Sequence, residues 1–263
     1  MEYFEKVEKK PEPDLTWNLP EQRWGTVKVI GGNSQRFHTE VKTAEFLYAN
    51  YPVVYPVLVF PDSLKDKLPE LPKVIFIGST ESGSFGDKVD LDAIMAATDY
   101  NLLLGDLSKN AITAQAIHYC LNSPGCPTVV TRDAVDLIAE NEPEEILLNP
   151  QVTFLASMPQ LQKLFRAVYY PKMLLMTQSL VQVADALHKF TLSYPCKIVT
   201  LHNGQILIAE GGIVKAVPLE KSGYQPLTFW NGEVAAKIVA LNLFNPKKFI
   251  DATLTAILHK AKK

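Results

Sequence analysis

The chain has 263 residues, 47% of them hydrophobic, and its formal net charge is -2. This length and apolar content suffice for one large core, and the near-neutral charge offers no basic surface for nucleic acid. No apolar run approaches the roughly 20 residues that span a bilayer, and the charged first ten residues do not resemble a secretory signal. These features predict a cytoplasmic protein that binds neither nucleic acid nor membrane.

The possible metal-binding side chains are few and scattered. Cys120, Cys126 and Cys196 are odd in number and lack the C-x-x-C spacing, and the five histidines lack ligand spacing as well. We therefore expect reduced thiols and no metal site built from protein side chains.

The first half of the chain alternates between strand and helix patterns. Residues 1–23 are polar and contain prolines, which indicates a surface arm, and residues 26–32 predict a strand that ends in two glycines. Short apolar runs predict further buried strands, and helical spacing predicts the helices between them. The strands are expected at 53–60, 74–77, 102–104, 128–131 and 152–155, and the helices at 39–49, 90–97, 110–121 and 132–140. This alternation predicts a single α/β domain over 1–263, with a mostly parallel central sheet flanked by helices on both faces.

The second half adds a hairpin and three helices. Residues 175–190 have the pattern of one amphipathic helix, and Asn203-Gly204 between two apolar runs indicates a tight β-hairpin. A further strand is expected at 213–217 and a closing helix at 246–260.

A buried helix with a polar start is predicted within residues 226–244. Asn231 suits the N-cap position, Gly232 permits close approach of a ligand, and Glu233 puts a carboxylate into the first turn. Free amides beside a carboxylate suit an anion and a proton acceptor. The structural alternative is an ordinary helix start whose acid complements the helix dipole.

Several motifs occur in the order found in one enzyme family. They are G-T-V-K-V-I-G-G-N-S at 25–34, L-L-L-G-D at 102–106, T-V-V-T-R-D-A at 128–134, L-A-S-M-P at 155–159, T-L-H-N-G at 200–204 and W-N-G-E-V-A-A at 230–236. This series resembles the ATP/ADP-dependent NAD(P)H-hydrate dehydratases, a branch of the ribokinase-like superfamily. The resemblance covers roughly residues 20–260 and implies the ribokinase-like fold.

The resemblance also implies an activity, the repair of hydrated NAD(P)H with ATP or ADP and Mg2+. Glu233 takes the place of the catalytic base. The residues implied for the nucleotide are Asn231, Gly232, His202, Asn203 and Gly204, and those implied for the substrate are Gly32, Asn33, Gly105, Asp106 and Asp133. We expect Gly31-Gly32, Gly105, Asp133 and 231–233 to converge on one cleft at the carboxyl ends of the strands, and we expect a homo-oligomer. For Asp106 and Asp133 the structural alternative is a helix cap, and for His202 it is a surface position in the hairpin.

The chain departs from the family pattern at positions that carry chemistry. Trp230 replaces the first glycine of the family's G-T-G-D motif, and Glu233 is one methylene longer than its aspartate. Thr131 and Met158 also replace polar family residues, and Thr39-Glu40 replaces a small Gly-Ala pair. These changes predict weak or absent dehydratase activity. Two alternatives are a non-catalytic nucleotide-binding or assembly protein on the same fold and a ribokinase-like small-molecule kinase.

Overall fold

A single sheet organises the computed structural model, which describes residues 2–7, 25–68, 73–122 and 125–258. Its strands are β1 Phe4–Lys6, β2 Gly25–Gly31, β3 Val54–Pro61, β4 Val74–Ile77, β5 Tyr100–Gly105, β6 Thr128–Thr131, β7 Val152–Leu155, β8 Lys197–His202, β9 Gln205–Glu210 and β10 Ile213–Pro218. They are ordered β1-β10-β9-β8-β7-β6-β5-β2-β3-β4. Among these strands β9 alone runs antiparallel to its neighbours. The predicted mostly parallel sheet is confirmed.

The helices cover both faces of this sheet. They are α1 His38–Asn50, α2 Lys88–Ala96, α3 Ala111–Asn122, α4 Asp133–Ala139, α5 Glu144–Leu147, α6 Met158–Ala167, α7 Leu180–Ser193, α8 Leu219–Ser222, α9 Glu233–Phe244 and α10 Phe249–Leu258. Apolar side chains of α1, α9 and α10 form one core layer, and those of α2, α3, α4, α6 and α7 form the other. Leu103 of β5 faces the second layer while Leu102 and Leu104 face the first. Burial on both faces explains why these strands are continuous apolar runs.

The hairpin prediction is confirmed in detail. Asn203 and Gly204 join β8 to β9 with φ angles of 47° and 70°. Two successive positive φ angles define the type I′ turn that Asn-Gly favours, because its twist matches that of the flanking strands.

The described part of the predicted N-terminal surface arm contains a strand that the sequence analysis did not predict. Residues 4–6 form an edge strand parallel to β10. The Tyr3 ring stacks on His188 with centroids 3.8 Å apart, and the Val7 amide donates to Ala216 O at 2.8 Å. The exposed edge of β10 supplies backbone partners that a composition argument cannot see. Residues 8–23 lie outside the described ranges, as do 259–263, so the single domain over 1–263 stays a prediction.

One helix prediction between 155 and 193 needs correction, and one helix in this range was not predicted. The helix predicted at 175–190 begins only at Leu180, because Ser179 is its N-cap and forms a capping box with Gln182. Helix α6 has no counterpart in the sequence analysis, yet Ser157 and Gln160 form the same box at its start. The S-x-x-Q spacing was the signal for both starts. No helix within the described ranges is long and apolar enough to cross a bilayer.

Candidate functional site

The start of α9 differs from the prediction. Gly232, not Asn231, occupies the N-cap position, with φ of 83° and no side-chain cap hydrogen bond. Asn231 instead closes a short 3-10 helix, and its amide donates to Thr228 O at 3.2 Å. A Cβ on Gly232 would clash with Thr43 Oγ1. The glycine therefore lets α9 begin directly against α1, and the asparagine cap is wrong because Asn231 still closes the preceding 3-10 helix.

An open cleft of about 600 Å³ lies between α1, α9 and the end of β6. It is lined by Thr39, Lys42, Thr43, Arg132, Trp230, Asn231 and Glu233. Trp230 packs edge-on against Phe229 with centroids 5.0 Å apart, so the indole forms a wall and leaves the cleft open. The uncapped helix start, Lys42 and Arg132 give the cleft a positive rim that suits an anion. Glu233 is solvent-exposed on the same rim.

The residues implied for the substrate meet beneath this cleft. Asp133 accepts hydrogen bonds from the amides of Asp106 at 2.7 Å and Leu107 at 3.2 Å. Asn33 Nδ2 donates to Asp106 O at 2.7 Å, and the Gly32 amide donates to Gly105 O at 2.9 Å. We call Gly31, Gly32, Asn33, Gly105, Asp106, Arg132 and Asp133 the strand-end cluster. The cluster brings together the carboxyl ends of β2, β5 and β6, but of its residues only Arg132 lines the cleft. The convergence of Gly31-Gly32, Gly105 and Asp133 with 231–233 on one cleft therefore stays a prediction.

Arg132 connects the strand-end cluster to the cleft. Its Nη2 lies 2.9 Å from Asp106 Oδ1, and its side chain also lines the cleft. Asp106 and Arg132 have φ angles of 53° and 55°, values that non-glycine residues adopt at an energetic cost and often at functional sites. Asp133 does not cap α4, whose N-cap is Arg132 without a side-chain bond. Its carboxylate ties the loop after β5 instead, while burial raises its pKa and the Asp106 amide bond lowers it.

Glu40 is the residue of the site that sequence reasoning missed as a functional group. It lies in the first turn of α1, is 0% exposed, and neither carboxylate oxygen has a hydrogen-bond partner among the described residues. Burial, followed by the negative charge of Asp106, raises its pKa to about 8. The available sequence signal was an acid at a position where the resembled family has a small residue. The burial of Glu40 and the lack of a neighbouring partner could not be predicted, because both depend on how distant segments pack.

The β8–β9 turn lies apart from this cleft. His202 is buried, and its Nε2 donates to Gln178 O at 2.8 Å, so the surface alternative for this histidine is wrong. Gly204 O accepts from the Leu219 amide at 2.9 Å. None of His202, Asn203 and Gly204 lines the cleft, and their nucleotide contacts stay predictions. Within the described ranges no three His, Cys, Asp or Glu side chains are grouped to hold a metal ion.

Comparison with known proteins supports the fold. No family model matches the sequence, and no curated protein matches it. A ribokinase-like superfamily protein from Enterococcus faecalis is similar in structure, with a TM-score of 0.65 at 15% identity over 98% of this chain and 86% of that chain. An ADP/ATP-dependent NAD(P)H-hydrate dehydratase from Bacillus subtilis gives 0.59 at 14% over 96% and 87%. A hydroxyethylthiazole kinase from Pyrococcus horikoshii gives 0.56 at 12% over 92% and 79%. The chain has the ribokinase-like α/β fold.

We predict that Gly105→Ala destabilises the protein strongly. Gly105 has a φ of 118°, and an added Cβ would clash with Asp133 Oδ1. Backbone strain and loss of the Asp133 hydrogen bonds should together lower the free energy of unfolding by about 3–5 kcal/mol. Urea denaturation measures this change. The control is Gly204→Ala, where φ is 70° but nothing lies within 4 Å, so about 1–2 kcal/mol is expected. Equal losses in the two variants would contradict the close packing at Gly105.

We predict that the stability contribution of Glu40 is lost as pH rises. The folded pKa of about 8 lies above the ordinary 4.5, so between these values the folded protein holds a proton that the unfolded chain has released. The free energy of unfolding therefore falls as pH rises from 4.5 to 8, by up to a few kcal/mol from this group.

Urea denaturation at pH 5, 7 and 9 tests this pH dependence. Glu40→Gln cannot ionise and should remove the fall. Glu45→Gln, on the exposed side of the same helix, should retain it. A wild-type profile in Glu40→Gln would show that Glu40 keeps an ordinary pKa.

Proposed function

We propose that this chain binds ATP or ADP in the cleft and transfers a phosphoryl group to a hydroxyl of a small molecule. One observation carries the proposal: an uncapped helix start, two cationic side chains and one carboxylate lie at the same cleft. Phosphoryl transfer depends mainly on positioning and charge stabilisation, and these groups supply both. The ribokinase-like fold supports the proposal as an analogy.

The residues have separate roles in this proposal. Lys42, Arg132 and the first-turn amides of α9 hold the phosphate groups. Glu233 accepts the proton of the substrate hydroxyl, as a carboxylate base on the rim. The hydroxyl oxygen bonds to the terminal phosphorus, the bond from that phosphorus to its bridging oxygen breaks, and the shortened nucleotide leaves with the electron pair. Since no metal-binding group of side chains occurs in the described ranges, Mg2+ would be held largely by the nucleotide phosphates.

Repair of hydrated NAD(P)H is the narrower candidate within this chemistry. It is favoured by the order of the sequence motifs and by the similar fold of the dehydratase from Bacillus subtilis. Two features oppose efficient dehydration: Trp230 forms a wall where the family has a flexible glycine, and Glu233 moves the carboxylate outward. Displacement of a catalytic group by about 1 Å can cost on the order of 100-fold. Because these two positions are the ones that tie the motif series to one substrate, we propose the wider class, phosphoryl transfer to a small alcohol, first. The expected homo-oligomer stays a prediction.

Turnover distinguishes the proposed enzyme from a non-catalytic nucleotide-binding protein. We predict that wild-type protein with ATP or ADP and Mg2+ forms a phosphorylated product from at least one member of a panel of small alcohols, measured by mass spectrometry. Glu233→Gln should reduce turnover about 100-fold or more while nucleotide affinity stays within a factor of about two. Lys42→Ala should instead weaken nucleotide binding about tenfold.

The control for the base is Glu220→Gln, an exposed acid on α8, which should leave turnover unchanged. Nucleotide binding without turnover on any alcohol would support the binding role and contradict the enzyme. Turnover that survives Glu233→Gln would remove this residue from the mechanism.

We predict little or no dehydration of hydrated NADH with ATP or ADP. The assay measures the absorbance of NADH, which increases as dehydration restores the cofactor. Turnover near or above roughly one per second, in the range of ordinary enzymes, would contradict the argument from Trp230 and Glu233. If the wild type is inactive, Trp230→Gly combined with Glu233→Asp restores the family pattern. Recovered activity would show that these two positions limit dehydration.

A further inference from the structure

Glu40 is the unpaired acid of the strand-end region. Three carboxyl groups lie close enough there for their charges to interact, those of Glu40, Asp106 and Asp133. Asp133 binds two backbone amides and Asp106 pairs with Arg132. Glu40 is as deeply buried as any residue of the core, and its oxygens have no hydrogen-bond partner on any other described residue; its own backbone amide lies near enough to lower its pKa. Buried carboxyl groups are ordinarily hydrogen-bonded or paired, so Glu40 lacks the partner that its position requires.

The position of Glu40 places this acid beside the cleft. Its helix neighbours Thr39 and Thr43 line the cleft, and so does Arg132, whose charge reaches Glu40. The carboxyl group lies against Gly31, where an added Cβ would come within 2.6 Å of Oε1. Gly31 therefore leaves the space that the carboxyl group occupies. The acid lies behind Thr39 and Thr43, between the ends of β2 and β5, and does not itself line the open cleft. We call this buried region the floor of the cleft.

The surrounding charges favour a particular kind of partner. The positive charge of Arg132 lowers the pKa of Glu40. The guanidinium group of Arg132 is, however, already paired with the carboxylate of Asp106. The acids at the floor outnumber this cation, so the floor complements positive charge, whereas the rim with Lys42 complements phosphate. A neutral hydroxyl donor would stabilise ionised Glu40 less than a cation would, because hydrogen bonds between charged groups are roughly twice as strong.

We propose that Glu40 is a specificity-determining residue that binds a positively charged or N–H-bearing nitrogen of the small alcohol substrate. This inference rests on the proposed function, since it assigns the substrate class of the same cleft. This binding requires that Thr39, Thr43 or Arg132 rotates, because these side chains separate Glu40 from the open cleft. Binding of a cation deprotonates Glu40, and the released proton passes to solvent.

The test compares matched alcohols that differ in one nitrogen. The probes are 4-(aminomethyl)benzyl alcohol against 4-ethylbenzyl alcohol, and 4-aminobenzyl alcohol against 4-methylbenzyl alcohol, each titrated calorimetrically at pH 7 with ADP present. Wild-type protein should bind at least one nitrogen compound about tenfold or more tightly than its carbon partner. Titration of the aminomethyl compound in phosphate and in Tris should reveal proton release, because the two buffers differ in ionisation enthalpy.

Two variants separate recognition from folding. Glu40→Gln should reduce the preference for nitrogen about 10- to 100-fold and abolish proton release, while ADP affinity stays within a factor of about two. Glu45→Gln, exposed on the same helix, should behave as wild type. Circular dichroism and urea denaturation establish that both variants are folded.

Each remaining outcome decides between the two proposals. If ADP binds but every nitrogen compound binds no better than its carbon partner, or does not bind, Glu40 is satisfied by water or by its own protonation and the inference is overturned. The same holds if Glu40→Gln retains the preference. If the preference depends on Glu40 but ADP does not bind and no alcohol is phosphorylated, the inference stands and the proposed function fails.

Discussion

The site depends on the two hydrogen bonds that Asp133 accepts from the loop after β5. These bonds fix the ends of two adjacent strands in one register, and Gly105 permits them because it has no side chain to meet the carboxylate. The same tie maintains Asp106 and Arg132 in backbone conformations that neither would adopt alone. Arg132 is consequently directed to the cleft by a constraint that originates one strand away, so the stability of the strand ends and the position of Arg132 share a single set of contacts.

The cleft has two electrostatic regions with different causes. The rim is positive because an uncapped helix start and two basic side chains meet there. The floor is acidic because three carboxyl groups gather at the strand ends, and burial raises the pKa of both Glu40 and Asp133. Under the proposed function, the phosphates of the nucleotide lie at the rim and the nitrogen of the alcohol lies at the floor. This polarity would orient the two reactants before phosphoryl transfer, whose catalysis depends mainly on positioning.

Sequence reasoning identified those features that local physics determines. Apolar runs located the strands because parallel strands are buried on both faces, and Asn203-Gly204 located the hairpin because few residue pairs tolerate its φ angles. The motif order also indicated that Gly105, Asp106 and Asp133 would meet. Contacts made across the fold were not predictable in this way. The pairing of β1 with β10, the cap at Gly232 and the burial of Glu40 depend on neighbours that are distant in the chain.

The pairing of β1 with β10 has a consequence for biosynthesis. Phe4 lies beside Val214 in the finished sheet, so the partner of this early segment emerges from the ribosome roughly 210 residues later. At about 5–20 residues per second this delay is on the order of 10–40 s. During that interval residues 4–6 have no strand to join, and the outer edge of the sheet closes only after β10 has formed. The N-terminal strand can therefore join the sheet only after β10 has been synthesised, and its pairing then covers the backbone groups of one edge of β10.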